Sequence, residues 1–243
     1  KCKYCMQQGY NLAEDGYFPN SKDVGMRRIK EFIDEQVERG NDLIRISGGE
    51  PSLFEKESIE LLKYINSKGG FSSIETNGSN PESLEKFTRY ADEVSLDIKN
   101  SKKYIKKISG VGSDKSWDNP LKCLKRLDKP YLDNNLDMEC VSMVFSFNKA
   151  EDYFEMVEKI PEKCLFVLKQ FNRKKVSFSV GDKSRKSCNS FPDWLKEPSE
   201  DKVKNIMEEL VEKFPQTKDR IVSVIKVSGK NKFIWPGKEK IIE

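Results

Sequence analysis

Apolar positions along the chain fall alternately into helix-like and strand-like spacing. Residues 21–39 read as a helix: Ser21 is a cap, Ile29, Phe32, Ile33 and Val37 share one face, and Gly40 ends the pattern. A short apolar strand over 42–47 breaks at Gly48-Gly49. The next helix covers 53–67, with Ile59, Leu61, Leu62 and Ile65 apolar, and Gly69-Gly70 stops it. A strand over 71–75 is closed by Thr76-Asn77-Gly78, a helix over 81–90 has proline in its first turn, and a strand covers 93–98. The lysine-rich stretch that follows reads as a loop, and Asn119-Pro120 caps and starts a helix to about Leu127. A long strand at 136–147, a helix at 150–160 and a strand at 164–171 come next. Residues 199–214 form a serine-capped helix with Glu200 and Asp201 in its first turn, and 220–227 is read as the final strand.

Strands alternating with helices imply repeated βα units, a parallel sheet and the α/β class. Such sheets hold ligands at the carboxyl ends of their strands, whether open or closed into a barrel. No internal sequence repeat is evident, and the Lys- and Ser-rich stretch 173–186 reads as an exposed loop.

Composition narrows the chemistry. The 243 residues suit one large domain or two small ones; the reading adopted is a single domain over 1–243, with a core over 1–170 and a less regular part over 171–243. Hydrophobic residues make up 36% and charged residues 35%, and no run approaches the roughly 18 apolar residues of a membrane span. The net charge of +4 neither requires nor excludes nucleic acid. Six scattered cysteines are no disulfide framework and suit a reducing, cytoplasmic setting. Histidine is absent, which removes Ser-His and Cys-His nucleophiles and imidazole acid–base chemistry. Reactivity must come from a cofactor, or from carboxylates, lysines and thiols.

The chemically suggestive segments each sit at a strand end. Cys2 and Cys5 form a CxxC with Tyr4 just before the second cysteine, Gly48-Gly49-Glu50-Pro51 follows the next strand, Glu75-Thr76-Asn77-Gly78 the one after, and Asp97-Ile98-Lys99 ends another. Taken singly they are bland. CxxC is also half a zinc site or a redox pair, the glycine and Thr-Asn-Gly segments are ordinary turns, and Asp97 with Lys99 makes an ordinary surface pair. A zinc site needs four ligands, and Cys123, Cys140, Cys164 and Cys188 read instead as lone core or loop thiols. Taken together, in this order, the segments converge on one rim of a parallel βα array.

In that order the segments resemble the radical S-adenosylmethionine (SAM) superfamily, most closely the activating enzymes of glycyl-radical enzymes, of the pyruvate formate-lyase and anaerobic ribonucleotide reductase type. The resemblance covers about residues 1–170. It implies a partial parallel (β/α)6 barrel and a [4Fe–4S] cluster held by three cysteines spaced CxxxCxxC. Cys2 and Cys5 are the second and third of these; the first would be the third residue before Lys1, and a chain opening without methionine beside a cysteine reads as truncated at its N-terminus. It further implies that Gly48, Gly49 and Glu50 line the methionine end of SAM, and that Thr76, Asn77, Asp97 and Lys99 contact its ribose and carboxylate. Gln170, in the stretch 165–171 that resembles the late strand of those activases, falls on the adenine side. The implied reaction is reductive cleavage of SAM to a 5′-deoxyadenosyl radical that takes hydrogen from a glycine of a partner glycyl-radical enzyme, with reduced flavodoxin or ferredoxin as electron donor. No cysteine-rich ferredoxin-like insert follows the CxxC, since 6–47 contain no cysteine.

Other readings stay open. One is a radical SAM enzyme acting on a small molecule of deazapurine type. A second acts on tRNA, with the 173–186 loop and Trp117, Trp194 and Trp235 as its support. A third is a non-catalytic iron–sulfur or zinc-binding module.

Overall fold

In a computed structural model, which describes residues 25–109, 114–128, 136–172, 194–227 and 230–242, the βα repeats assemble into one sheet of eight strands whose spatial order follows the chain. The strands are β1 (Leu43–Ile46), β2 (Phe71–Thr76), β3 (Glu93–Asp97), β4 (Asp137–Val144), β5 (Leu165–Gln170), β6 (Ile221–Val227), β7 (Lys230–Trp235) and β8 (Lys238–Ile242). Neighbours from β1 to β6 are parallel, and β6–β7 and β7–β8 are antiparallel. The crossovers are built on α2 (Glu55–Ser67), α3 (Pro81–Phe87), the pair α4 (Lys102–Ser109) and α5 (Lys115–Leu127), α6 (Phe154–Lys159) and α7 (Glu200–Lys213), with α1 (Met26–Glu38) ahead of β1. This is the expected α/β partial parallel barrel. Its six parallel strands all follow the CxxC. No helix among the described residues is long and apolar enough to cross a membrane.

Alternation sorts the strand residues onto two faces. Ile74, Val94, Leu96, Met138, Cys140, Phe166, Leu168, Ile221 and Ile225 face the helices and form the main core with Leu62, Leu84, Trp117, Leu124, Tyr153, Val203 and Leu210. Each fully buried Leu, Ile or Phe contributes about 1.5–3 kcal/mol relative to exposure. The inner face is different, because β1–β4 place Arg45, Ser73, Glu75, Glu93, Ser95, Asp97 and Glu139 there.

Three expectations need correction. The lysine-rich stretch after β3 is not all loop: Lys102–Ser109 is helical because Ile105 and Ile108 bury one face while the lysines stay in solvent. Helix α5 starts at Lys115 rather than at Asn119-Pro120, since burying Trp117 (1% exposed) draws in an earlier turn and leaves Pro120 inside the helix. Residues 220–227 are not the last strand. The Pro236-Gly237 turn, with Gly237 at φ 78°, folds β7 and β8 back as a hairpin. The other boundaries agree to within a few residues. Ser199 caps α7 as read, accepting from the Lys202 amide at 3.1 Å. The residue 21 cap, both N-terminal cysteines, Cys188 and the 173–186 loop lie outside the described residues.

Gly78 is fixed by both backbone and space. Its φ is 68°, and an added Cβ would lie 2.8 Å from Leu96 Cδ1 and 3.1 Å from Pro120 Cα. Left-handed backbone costs a non-glycine residue about 1–2 kcal/mol and overpacking about 1–3 kcal/mol. Gly78→Ala is therefore expected to lower the unfolding free energy by about 2–5 kcal/mol, read from the denaturant midpoint. A midpoint equal to that of the parent would show that β3 and α5 yield freely at this contact.

Candidate functional site

Because β1, β2 and β3 are parallel, the segments that follow them meet at one end of the sheet. After β1 the chain turns at Gly48, whose φ of 131° lies where side chains are strained although the space beside it is open. It then reaches Glu50, which is 8% exposed and caps the short 3-10 turn Pro51–Phe54. The Glu50 carboxylate accepts three hydrogen bonds: from the Thr76 hydroxyl at 2.6 Å, the Asn77 amide at 2.9 Å and the Ser52 amide at 3.1 Å. One side chain thus ties the turn after β1 to the turn after β2.

This arrangement divides the sequence-identified residues by what each has left to offer. The Thr76 hydroxyl donates to Glu50 and accepts from the Gly78 amide at 3.2 Å, and Thr76 is 3% exposed, so it is committed internally. Asn77 uses its backbone amide on Glu50 and its side-chain oxygen on the Ser79 amide at 2.8 Å, while its side-chain NH2 donates to no described residue. Lys99 is ion-paired with one Asp97 oxygen. The other, Asp97 Oδ1, is buried and has no hydrogen-bond partner among the described residues. A buried carboxylate oxygen without a partner is costly unless something outside the described residues completes it. Gln170 stands elsewhere: its side-chain amide donates to the Pro198 carbonyl at 2.9 Å, and it shares the helix-facing side of β5 with Phe166 and Leu168.

The segment after β3 is itself anchored. Asn100 is fully buried and donates to the Met143 carbonyl at 2.8 Å; it exchanges hydrogen bonds with Asn148 at 3.1 and 3.0 Å. Tyr153 donates to the same Met143 carbonyl at 2.9 Å. The loop carrying Lys99 is thereby locked to the end of β4. Beyond β4 and β5 stands an aromatic group in which Phe145 contacts Phe147 at 5.3 Å and Phe171 at 4.8 Å, and Phe147 packs on Tyr104 and Trp194.

The inner face below the rim carries residues that the sequence reading did not single out. Arg45 pairs with Glu93 at 2.7 Å and Glu139 at 3.2 Å and donates to Ser73 at 2.9 Å, while Ser47 donates to Glu75 at 3.1 Å. Burial pulls the Arg45 pKa down, but its hydrogen bond to Glu93 and the fields of Glu139, Glu93 and Glu75 outweigh that and leave it raised. The signal was the polar residue at every second strand position, as in Glu93, Ser95 and Asp97. Arg45 offsets only part of the acidic charge, since three carboxylates surround one guanidinium. No group of three or more metal-ligating side chains occurs among the described residues.

The remaining cysteines are structural where they are described. Cys123, Cys140 and Cys164 are buried free thiols. Desolvation pushes Cys123 and Cys164 up to about 12 and Cys140 well above its ordinary value, so all three stay protonated at neutral pH. Trp117 lies in the core, which removes it from any RNA-contacting surface.

Comparison with known proteins gives the site a context. The family model described as the radical SAM superfamily matches residues 1–160. A Methanocaldococcus jannaschii protein bearing the provisional name glycyl-radical enzyme activating enzyme is 32% identical over 178 residues, covering 72% of this chain and 69% of that protein. The 7-carboxy-7-deazaguanine synthase of the same organism is 29% identical over 133 residues, 52% of this chain and 53% of its own length. Among solved structures, TYW1 with a lysine–pyruvate adduct bound superposes with a TM-score of 0.53 at 12% identity, covering 94% of this chain and 72% of that one, a likeness of fold.

Proposed function

Because the chain belongs to the radical SAM superfamily, we propose that its rim binds SAM beside a [4Fe–4S] cluster held in part by Cys2 and Cys5, and that it activates a glycyl-radical enzyme. The observation that carries this reading is the rim geometry. Glu50 fastens the Gly48-Gly49 turn to the Thr76-Asn77 turn, and groups unspent within the described residues sit beside it: the Asn77 NH2 and Asp97 Oδ1. These fit SAM. A carboxylate oxygen suits ribose hydroxyls, an ammonium suits the methionine carboxylate, and open glycine backbone permits close approach to the amino group. When bound, the cluster supplies the electron that splits SAM into methionine and a 5′-deoxyadenosyl radical.

The chain's own residues position and shield. Gly48 and Gly49 offer backbone to the methionine amino end, and the Glu50 side chain holds that backbone in place. Asn77, Asp97 and Lys99 orient the ribose and carboxylate, Thr76 acts through Glu50, and Gln170, on the helix-facing side and bonded to Pro198, takes no part. The aromatic group past β4 and β5 keeps water from the rim. Hydrogen-atom abstraction needs no base, which agrees with a chain lacking histidine. Reduced flavodoxin or ferredoxin is the proposed electron donor, and the cytoplasm the proposed setting. The glycine donor rests on the likeness to the M. jannaschii relative.

The test is 5′-deoxyadenosine release from SAM by the anaerobic, reduced protein, with and without a candidate glycyl-radical enzyme labelled with Cα-deuterated glycine. One deuterium in the product is expected. Product without deuterium would keep the SAM chemistry and overturn the glycine donor. Lys99→Ala is expected to raise the KM for SAM roughly ten- to hundredfold, the loss of one charged hydrogen bond, with iron content unchanged. A KM within about threefold of the parent, against that expectation, would take Lys99 out of the SAM site.

A further inference from the structure

The two faces of the β7–β8 hairpin settle their charges differently. On the helix side Ile234 is buried and Lys232 is paired with Glu200 at 2.9 Å and Glu239 at 2.8 Å. On the inner side Phe233 and Trp235, half-buried, stack with ring centres 6.0 Å apart and planes 23° from parallel. Strand pairing sets Lys169, Val224, Phe233 and Lys240 in one row across β5–β8. Lys238 lies opposite Trp235, with its ammonium 5.6 Å from the ring centre. Lys169, Lys238 and Lys240 are exposed and form no ion pair among the described residues.

We propose that this inner face of β5–β8 is a docking surface for single-stranded nucleic acid. Two nearly parallel rings on one strand present flat π surfaces at the spacing of alternate residues, and every base has a π face to lay against them. Three ammonium groups on this face, without an ion pair among the described residues, meet the phosphates of the same strand. An acidic peptide would satisfy the lysines but brings a ring only where an aromatic residue falls, whereas every nucleotide of the strand carries one. The rest of the inner face turns a polyanion away. On β2–β4 it carries Glu75, Glu93, Asp97 and Glu139, with Arg45 and Lys99 already paired to them, so attraction is confined to the hairpin side. The inference is independent of the hydrogen donor proposed above, since it concerns binding alone.

The experiment is fluorescence anisotropy of a labelled oligouridylate titrated with the whole chain at several salt concentrations, with an acidic peptide of equal charge as the rival ligand. Saturable binding is expected, preferring the oligonucleotide. Phe233→Ala and Trp235→Ala are each expected to weaken it roughly five- to hundredfold, while Trp235→Phe, which keeps a ring, stays near the parent and guards against misfolding of the alanine variant. Lys238→Ala and Lys240→Ala should each reduce the slope of log affinity against log salt by about 0.7, and Lys56→Ala, an exposed lysine on α2, should leave the slope unchanged. The proposal is overturned by no saturable binding at low salt, by equal losses from Lys56→Ala and Lys240→Ala, or by tighter binding of the acidic peptide.

Discussion

Glu50→Ala is expected to destabilise the chain by about 3 kcal/mol, more than any other substitution of a rim side chain. The carboxylate accepts from Thr76, Asn77 and Ser52 in a position 8% exposed to solvent. Hydrogen bonds to a charged group contribute about 1.5–3 kcal/mol each when one partner is removed, but water can reach the Ser52 amide, so the sum stays below three full bonds. In a chain of 243 residues each kcal/mol moves the melting midpoint by about 2–4 °C, which predicts a fall of roughly 6–12 °C. Glu50→Gln keeps one acceptor and turns an NH2 toward a donor, so its loss should be intermediate. A Glu50→Ala midpoint within about 1 °C of the parent, against that scale, would mean that the two turns are held by something other than this carboxylate.

The same substitution separates structure from binding. If Glu50 acts by holding the Gly48-Gly49 and Asn77 turns in register, SAM affinity should fall in Glu50→Ala even at temperatures where the variant is fully folded, and Thr76→Val should follow it in part. Thr76 shares that tie through its hydroxyl and has no free donor left for a ligand. Thr76→Val changing affinity more than Glu50→Ala would return Thr76 to direct contact with SAM.

Much of this was legible in the chain because the rules involved are local. Period-two and period-3.6 apolar spacing marks strands and helices, and parallel pairing then forces the segments after β1, β2 and β3 to one rim. What stayed hidden depends on packing. A burying tryptophan extended α5 past its own cap signal, and Ile105 and Ile108 made a helix of lysine-rich sequence. The hairpin escaped because alternating lysines with aromatics look like a polar tail until β6 offers a strand to pair with. Thr76 illustrates the limit at the site: its position was readable, but its commitment to Glu50 is a fact of three dimensions.

Cys5→Ala is expected to strip the protein of most of its iron and to bring 5′-deoxyadenosine release to background. A cluster needs several thiols side by side, and Cys123, Cys140 and Cys164 are buried free thiols that belong to no group of three metal-ligating side chains among the described residues. Among the cysteines that leaves Cys2, Cys5 and Cys188, and only the first two have the close spacing that one cluster edge requires. Cys123→Ser therefore serves as the matched control: it should cost stability, since it places a hydroxyl beside the Gly78 carbonyl in the core, but leave iron content at the parent level. Iron, sulfide and zinc measured together on anaerobically reconstituted full-length protein decide the case. Equal iron in Cys5→Ala and parent would refute the cluster assignment, and zinc in place of iron and sulfide would return the CxxC to a structural site. Iron lost in Cys5→Ala alone, with SAM cleavage lost in step, ties the radical chemistry to the CxxC.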